Sequence, residues 1–288
     1  IGGAWKRIAM FSELPYTGDG LYAFTTFTFT NCGVTGRYGP TLAQCKASYT
    51  ESWTDNTDYF NITQTGFQIW TCPETGSYRV DVYGASGGNT APNGTYLGGK
   101  GARIMGDFNF TEGNKFLILV GQLGGSTSGT EANYGGGGGG GGSFVVRSAN
   151  PVYNGVGSGD VRIAAGGGGG PMGESYSRHG GDAPTTNTGT GGGAAGDYGA
   201  GGGGGFSGDG LSGYSHTFCE GISFTNGATG GEAQAVSYGG TNHGGFGGGG
   251  AGNSHPGGGG GGYNGGNAAF NWDTPNGKGG GSINRGTN

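Results

Sequence analysis

Serine and histidine are the side chains of this sequence that could do catalytic chemistry. Gly84–Gly88 reads G-A-S-G-G and matches the G-x-S-x-G turn that exposes a nucleophilic serine in many hydrolases. That chemistry requires a strand, a sharp turn and a helix, together with acidic and histidine partners further along the chain. No amphipathic helix follows Ser86, and a glycine-rich chain matches such patterns by chance. We therefore predict no catalytic residues and no enzymatic activity.

The histidines could in principle bind a metal. They all lie in the glycine-rich half of the chain, at His179, His216, His243 and His255. A zinc site would require several of them to converge with thiolate or carboxylate ligands, and their spacing matches no zinc motif. A simpler interpretation is that these histidines lie in loops between the glycine segments. The sequence predicts no metal site and no cofactor.

The cysteines provide information about redox environment. They occur at Cys32, Cys45, Cys72 and Cys219, and none has C-x-x-C spacing. Cys32 and Cys45 flank a turn-rich stretch and a short predicted helix that starts at Pro40, a residue favoured at the first helical position. A disulfide between these two cysteines would imply an oxidising, extracellular setting. Two buried free thiols are the alternative, and a Cys72–Cys219 pair is a further hypothesis.

Glycine dominates the elements that must position any functional side chain. Of the 81 glycines, 59 follow residue 130. Many stand in uninterrupted runs, at Gly135–Gly142, Gly166–Gly170, Gly201–Gly205, Gly247–Gly250 and Gly257–Gly262. Such runs disfavour α-helices and ordinary strands. They fit either a flexible linker or a bundle of polyproline-II-type helices, whose backbone groups would pair between neighbouring helices that no Cβ holds apart.

Aromatic residues interrupt the glycine runs, which is unusual for a flexible spacer. They lie at Tyr176, Tyr198, Phe206, Tyr214, Phe218, Phe246, Tyr263, Phe270 and Trp272. Loops between packed helices would lie at the ends of the bundle, where aromatic rings could form a recognition surface. The candidate receptor-binding residues are Tyr176, Tyr198, Phe206, Tyr214, Phe246 and Tyr263. Rings that cap the bundle or pack on a neighbouring sheet are the alternative interpretation.

Short strands precede and interrupt the glycine runs. Tyr78–Tyr83 alternates apolar and polar residues, Lys115–Gly121 is strand-like, and Ser143–Val146 and Val161–Ala164 lie between glycine runs. The sequence predicts an all-β protein, a jelly-roll-like β-sandwich with an attached polyglycine helix bundle. The predicted organisation is an attachment or leader segment at 1–21, a sandwich at 22–130 and the glycine-rich bundle at 131–288, with short strands that return to the sandwich.

Charge and hydropathy exclude some partner classes. The formal net charge is −5 and the basic residues do not cluster along the sequence, so a nucleic-acid partner is not predicted. No apolar run approaches the roughly 20 residues that span a bilayer, so the sequence predicts no membrane span. It leaves the oligomeric state open.

Several short segments occur in the order found in a known family. Gly39–Cys45, Gln68–Trp70, Tyr83–Gly88, Ile118–Gln122 and Gly262–Ala269 are among them. Over most of its length the chain resembles the TNF-like plus glycine-rich extracellular region of the anaplastic lymphoma kinase and leukocyte tyrosine kinase receptors. The resemblance implies a β-sandwich with an attached polyglycine-helix bundle, and it supports a Cys32–Cys45 disulfide.

A second resemblance concerns bacteriophage tail-fibre adhesins, which also contain glycine-rich modules. The start Ile1–Lys6 is similar to a short segment common in phage structural proteins. The sequence therefore predicts a tail-fibre tip on the virion surface that binds a host cell-surface protein or glycan and joins the rest of the fibre through its N-terminal segment. The alternative is an extracellular protein, either the ligand-binding ectodomain of a receptor or a secreted adhesion protein.

Overall fold

Two antiparallel sheets form the framework of the protein. The computed structural model describes residues 7–12, 18–90, 96–127, 135–173, 178–193, 199–213, 218–233, 242–269 and 276–287. The strands within these residues are β1 (Arg7–Ser12), β2 (Thr26–Thr30), β3 (Phe60–Gln64), β4 (Phe67–Thr71), β5 (Gly76–Tyr83), β6 (Arg103–Phe110), β7 (Lys115–Leu119), β8 (Ser143–Arg147), β9 (Val161–Ala165) and β10 (Ile283–Asn284). One sheet has the order β2-β1-β5-β6, and the other has the order β10-β9-β8-β7-β4-β3. The prediction of an all-β fold is therefore confirmed.

The main core lies between the two sheets and is rich in aromatic rings. The predicted alternation in β5 is confirmed, because Tyr78, Val80 and Val82 are all buried in this core. Trp70 of β4 is fully buried and contacts the Tyr78 ring with the centroids 5.8 Å apart. Fully burying a large apolar side chain stabilises a fold by about 1.5–3 kcal/mol, so this core supplies much of the folding free energy.

Residues 7–12 were assigned by the sequence to a leader segment, but in the structure they form β1, an inner strand. β1 pairs with β2 through Ile8↔Phe29 and with β5 through Ile8↔Val82. Ile8 and Met10 are completely buried. Ile8 and Met10 lie on one face of β1 and belong to the core between the sheets, whereas Arg7 is exposed. Residues 1–6 and 13–17 lie outside the described residues.

The α-helix α1 (Leu42–Ser48) is joined by a disulfide to Cys32, which follows the edge strand β2. Thr41 caps α1 in a capping box with Gln44, so the helix starts two residues after the predicted start at Pro40. Cys45 is fully buried and bonded to Cys32, which confirms the predicted disulfide. The hypothesis of a Cys72–Cys219 bridge is wrong, since both residues are buried cysteines outside any disulfide. Among the described residues, no helix is both long and apolar enough to cross a membrane.

Glycine segments extend from the strand ends and are bonded to one another through their backbones. Gly140 illustrates the arrangement. Its N–H donates to Gly168 O at 2.8 Å, and its carbonyl accepts from Gly261 N at 2.9 Å. A Cβ added at Gly140 would lie 2.4 Å from the carbonyl oxygens of Ala85 and Ser86. The neighbouring segments therefore pack at a distance that only glycine allows.

Two serine hydroxyls form hydrogen bonds with backbone groups at points where strands join glycine segments. The Ser143 hydroxyl accepts from Gly121 N at 2.9 Å and donates to Tyr83 O at 2.7 Å. The Ser282 hydroxyl accepts from Gly166 N at 2.9 Å and donates to Pro184 O at 2.6 Å. Both serines are completely buried. Each hydroxyl therefore satisfies one backbone donor and one acceptor that would otherwise lack a partner in the interior.

Candidate binding surface

Three candidate aromatic residues lie at turns next to the six-stranded sheet. Phe206 and Phe246 are only 3% and 2% exposed, and they share a hydrophobic cluster with Phe144 of β8. Tyr263 is partly buried and stacks on Phe206 with centroids 6.3 Å apart. These rings cover the outer face of the six-stranded sheet. Their burial corresponds to the alternative interpretation, in which rings of the glycine-rich half pack on a sheet.

Two distant glycines make room for one of these rings. A Cβ at Gly66 would lie 2.1 Å from Phe246 Cζ, and one at Gly39 would lie 2.7 Å from Phe246 Cε1. Gly247 and Gly248, which follow the ring, have φ values of +100° and +83° that favour glycine. The position of Phe246 therefore depends on four glycines from three parts of the sequence.

The other three candidates, Tyr176, Tyr198 and Tyr214, lie outside the described residues. Their role in binding stays a prediction. The described residues on either side of Tyr214 are Gly213 and Phe218, at the ends of two neighbouring glycine segments. We use the term distal end for those ends of the glycine segments that lie farthest from the strands.

Two large apolar side chains are exposed toward the distal end. Leu211 is 61% exposed and Phe218 is 69% exposed. Leu211 lies on the segment that leaves Phe206, and Phe218 lies on the segment that returns to Phe224. The rings of Phe206 and Phe224 are buried against the six-stranded sheet. The two segments are joined by a hydrogen bond from Gly210 N to Gly221 O at 2.9 Å. Leu211 and Phe218 thus present apolar surface on adjoining, backbone-bonded segments.

Phe218 has an uncommon backbone conformation. Its φ is +73°, in the left-handed region that non-glycine residues seldom adopt. Its carbonyl accepts from Glu232 N at 2.7 Å, and the carbonyl of the next residue, Cys219, accepts from Ala251 N at 2.8 Å. These bonds hold the strained residue in place with its ring in solvent. Strain of this kind persists only where the surroundings fix it, and it is concentrated at functional sites.

Polar groups surround the exposed pair. The Ser212 hydroxyl donates to the Glu220 carboxylate. Arg37 Nη1 lies 2.7 Å from Glu232 Oε2 in a salt bridge between the segment after β2 and the glycine region. Beneath Phe218, burial raises the pKa of the Cys219 thiol. A thiol with a raised pKa is a poor nucleophile at neutral pH.

A second concave surface runs along β2, the edge strand of the four-stranded sheet. Its lining includes Thr26, Thr28, Thr30, Tyr49 and Glu51. The Tyr49 hydroxyl accepts from Thr30 N at 2.9 Å and donates to Gln68 Oε1 at 2.6 Å. Burial raises the pKa of Tyr49 to about 12, so the phenol stays protonated and crosslinks the two sheets. This hydroxyl is therefore committed to structure.

Of the residues considered for catalysis and metal binding, His216 lies outside the described residues, and Ser86, His179 and His243 each have a hydrogen-bond partner of their own. Ser86 lies in a glycine segment, where its carbonyl accepts from Gly124 N at 3.1 Å. His179 Nδ1 accepts from Leu97 N at 3.0 Å, and His243 Nδ1 accepts from Ala233 N at 2.8 Å. In the part of the chain that the structure describes, no three His, Cys, Asp or Glu residues are grouped to hold a metal ion.

A comparison with known proteins finds a receptor. A stretch of 99 residues is 38% identical to part of the leukocyte tyrosine kinase receptor of Mus musculus. The stretch covers 34% of this chain and 11% of the receptor, so the similarity spans about a tenth of that protein's length. No protein-family model matches the chain.

Proposed function

We propose that this protein is an extracellular ligand-binding module, of the kind found in a receptor ectodomain or a secreted adhesion protein, and that it binds a secreted polypeptide. The observation that carries the proposal is the 38% identity over 99 residues to a receptor. The Cys32–Cys45 disulfide supports an oxidising, extracellular setting. The tail-fibre hypothesis receives no support from the receptor similarity and is not pursued.

The glycine segments are proposed to be polyproline-II-type helices attached to a TNF-like, jelly-roll-like sandwich. Polyproline-II helices form no internal hydrogen bonds, so their backbone groups need partners on neighbouring chains. The bonds from Gly140 N to Gly168 O and from Gly261 N to Gly140 O, each between residues far apart in sequence, fit that requirement. Such a bundle would act as a rigid scaffold.

The proposed contact surface is the distal end, with Leu211 and Phe218 as apolar anchors. Tyr176, Tyr198 and Tyr214 are proposed to join them, because these residues interrupt the same glycine-rich region. Burying a leucine or phenylalanine side chain yields about 1.5–3 kcal/mol, which is roughly tenfold or more in affinity for each anchor. A rigid scaffold adds to this because little conformational entropy is lost on binding.

Binding is proposed to involve no catalysis. Among the described residues next to the anchors in sequence, the groups that could react are the buried Cys219 thiol, the Glu220 carboxylate and the Ser212 hydroxyl, which donates to that carboxylate. The distal end would thus contribute shape and apolar area. Polar groups such as Glu232, which pairs with Arg37, would lie at its margin.

The experiment is a binding screen with the purified chain. Fluorescently labelled protein is applied to an array of secreted polypeptides and, separately, to intact bacterial cells. We expect saturable binding to at least one secreted polypeptide and none to the cells. Leu211→Ser and Phe218→Ser together should weaken that binding at least tenfold. The matched control is Met105→Ser, because Met105 is 47% exposed on β6, away from the anchors. Binding to cells without any polypeptide ligand would refute the proposal.

A further inference from the structure

Three arginines that are dispersed in sequence meet at one end of the six-stranded sheet. Arg147 ends β8, Arg162 lies in β9, and Arg285 directly follows β10. These strands are neighbours in the order β10-β9-β8. The three residues are also three of the five basic residues that follow residue 130. Most of the positive charge of the glycine-rich half is therefore gathered at one place.

A β-bulge gives Arg162 a special position in this group. The register pairs Val145 with Ile163 but Val146 with Val161, so Arg162 is the extra residue of β9. A bulge leaves its extra residue out of the regular pairing and redirects the side chain. The Arg162 carbonyl accepts from Arg285 N at 3.0 Å, which brings the two arginine backbones together.

The guanidinium groups of the cluster are short of acceptors. Arg162 Nη2 donates to Gly159 O and Arg285 Nη2 donates to Ser158 O, both at 3.4 Å, which is longer than the usual range of about 2.7–3.2 Å. Arg162 Nε is buried without a partner. Within the described residues, no salt bridge or hydrogen bond engages the Arg147 guanidinium. Because each guanidinium has five N–H donors, most of the donors in the cluster have no partner among the described residues and are available to a ligand.

Little negative charge offsets the cluster. The carboxylate that acts on Arg162 is that of Asp160, and its Oδ2 already accepts from Gly157 N at 2.8 Å. Burial lowers the pKa of Arg162, and the charges of Arg147 and Arg285 lower it further. Among the described residues, the charges that act on Arg162 are thus one carboxylate and two guanidinium groups, so a bound anion would offset the repulsion between the arginines.

We infer that Arg147, Arg162 and Arg285 form a binding site for one tetrahedral oxyanion, a sulfate or phosphate group that is free or carried as an ester. The planar donor fork of arginine matches the oxygen spacing of such anions. This site is separate from the proposed distal contact surface and does not depend on it. The alternative is that Arg162 and Arg285 serve only to hold the turn at Ser158–Asp160.

Isothermal titration calorimetry with sodium sulfate and sodium phosphate tests the inference, with sodium chloride used to hold ionic strength constant. We expect saturable binding of one anion per chain. Arg147→Gln and Arg285→Gln should each weaken it roughly tenfold, because each removes charge-assisted hydrogen bonds. Arg178→Gln is the matched control, since it makes the same charge change at an exposed arginine outside the cluster. Its affinity should equal that of the original protein.

Glucose 6-sulfate and glucose 6-phosphate, with glucose as the neutral probe, distinguish the sources of the anion. Tighter binding of either ester than of its inorganic anion supports a site for a sugar-linked group, and equal binding supports recognition of the anion alone. Arg162→Lys keeps the charge but removes the fork, so it should weaken binding while the circular dichroism spectrum stays unchanged.

Two results would overturn the site. One is the absence of saturable anion binding to the original chain. The other is an Arg147→Gln or Arg285→Gln variant that binds the anion as tightly as Arg178→Gln does. If such a variant has a lower unfolding midpoint but unaltered anion affinity, the arginines only hold the turn.

Discussion

Replacing Gly138 with alanine should unfold much of the glycine region, whereas the same change at Gly208 should not. A Cβ at Gly138 would lie 2.0 Å from the His243 carbonyl oxygen, and real Cβ contacts are almost never shorter than 3.0 Å. The two segments must therefore separate by about 1 Å to reach the shortest contact commonly seen for a Cβ. At Gly208, an added Cβ meets nothing within 4 Å, and φ lies outside the left-handed region that favours glycine.

The magnitude follows from the hydrogen bonds that such a shift would break. The His243 carbonyl accepts from Gly125 N at 2.7 Å, Gly138 N donates to Gly125 O at 2.9 Å, and Gly88 N donates to Gly138 O at 2.8 Å. A buried backbone group left without a partner costs about 1–3 kcal/mol, so disruption of these three bonds should lower the free energy of unfolding by about 3–9 kcal/mol. That is a large part of the total stability of about 5–15 kcal/mol typical of folded proteins.

Urea unfolding monitored by far-UV circular dichroism and tryptophan fluorescence measures this difference. Gly208→Ala should raise the free energy of unfolding by less than about 1 kcal/mol, because alanine has less conformational freedom than glycine in the unfolded chain. If Gly138→Ala and Gly208→Ala unfold at the same urea concentration, the close packing of the glycine segments is not what stabilises them, and the reasoning fails.

Three further predictions concern the disulfide, a buried serine and a histidine. Replacing Cys32 and Cys45 together with serine should cost about 3 kcal/mol in urea unfolding, since the bridge closes a loop with a sequence separation of 13; an unchanged midpoint would contradict this. Ser143→Ala leaves a buried N–H and a buried carbonyl unpaired and should cost about 2 kcal/mol, whereas a loss below about 0.5 kcal/mol would show that other groups replace the hydroxyl. Burial lowers the pKa of His243, and its neutral Nδ1 accepts from Ala233 N. The stability that neutral His243 contributes is therefore complete above the pKa of the unfolded state, about 6.5. It is lost as the pH falls through the lower pKa of the folded state. The hydrogen-exchange protection of the Ala233 amide should therefore fall between about pH 7 and pH 5, and protection that stays constant would refute the assignment.

Local sequence patterns predicted the parts of the fold that depend on local physics. The alternation of Tyr78, Val80 and Val82 predicted a half-buried strand, and all three residues face the core. The position of Cys32 and Cys45 around a short helix made their disulfide a hypothesis that the resemblance supported. These features depend on residues near each other in sequence, and so the sequence carries their signal.

Features that depend on distant residues could not be predicted in the same way. The apolar run around Ile8 and Met10 is too short to identify an inner strand, because its burial requires both β2 and β5 as partners. The burial of Phe246 requires space above Gly39 and Gly66, which no local pattern reveals. The chain has many aromatic residues, and only these long-range contacts determine which of them are buried in the core and which are exposed as anchors.

The arginine cluster and the exposed anchors illustrate the same limit. Arg162 and Arg285 are far apart in sequence, and only strand pairing brings them together. Phe218 stood among many aromatic interruptions, while Leu211 had no distinguishing feature in the sequence. The positive φ of Phe218 accompanies a backbone bond to the distant Glu232, so no local sequence pattern reveals it.

The proposed function rests on contact between the distal end and a secreted polypeptide. Its most direct test is the affinity of the Leu211→Ser, Phe218→Ser double variant for a polypeptide ligand found on the array, measured by biolayer interferometry beside Met105→Ser. We expect at least a tenfold loss for the double variant and an unchanged affinity for Met105→Ser, with identical circular dichroism spectra for both. A double variant that binds as tightly as the original protein would contradict the proposed function.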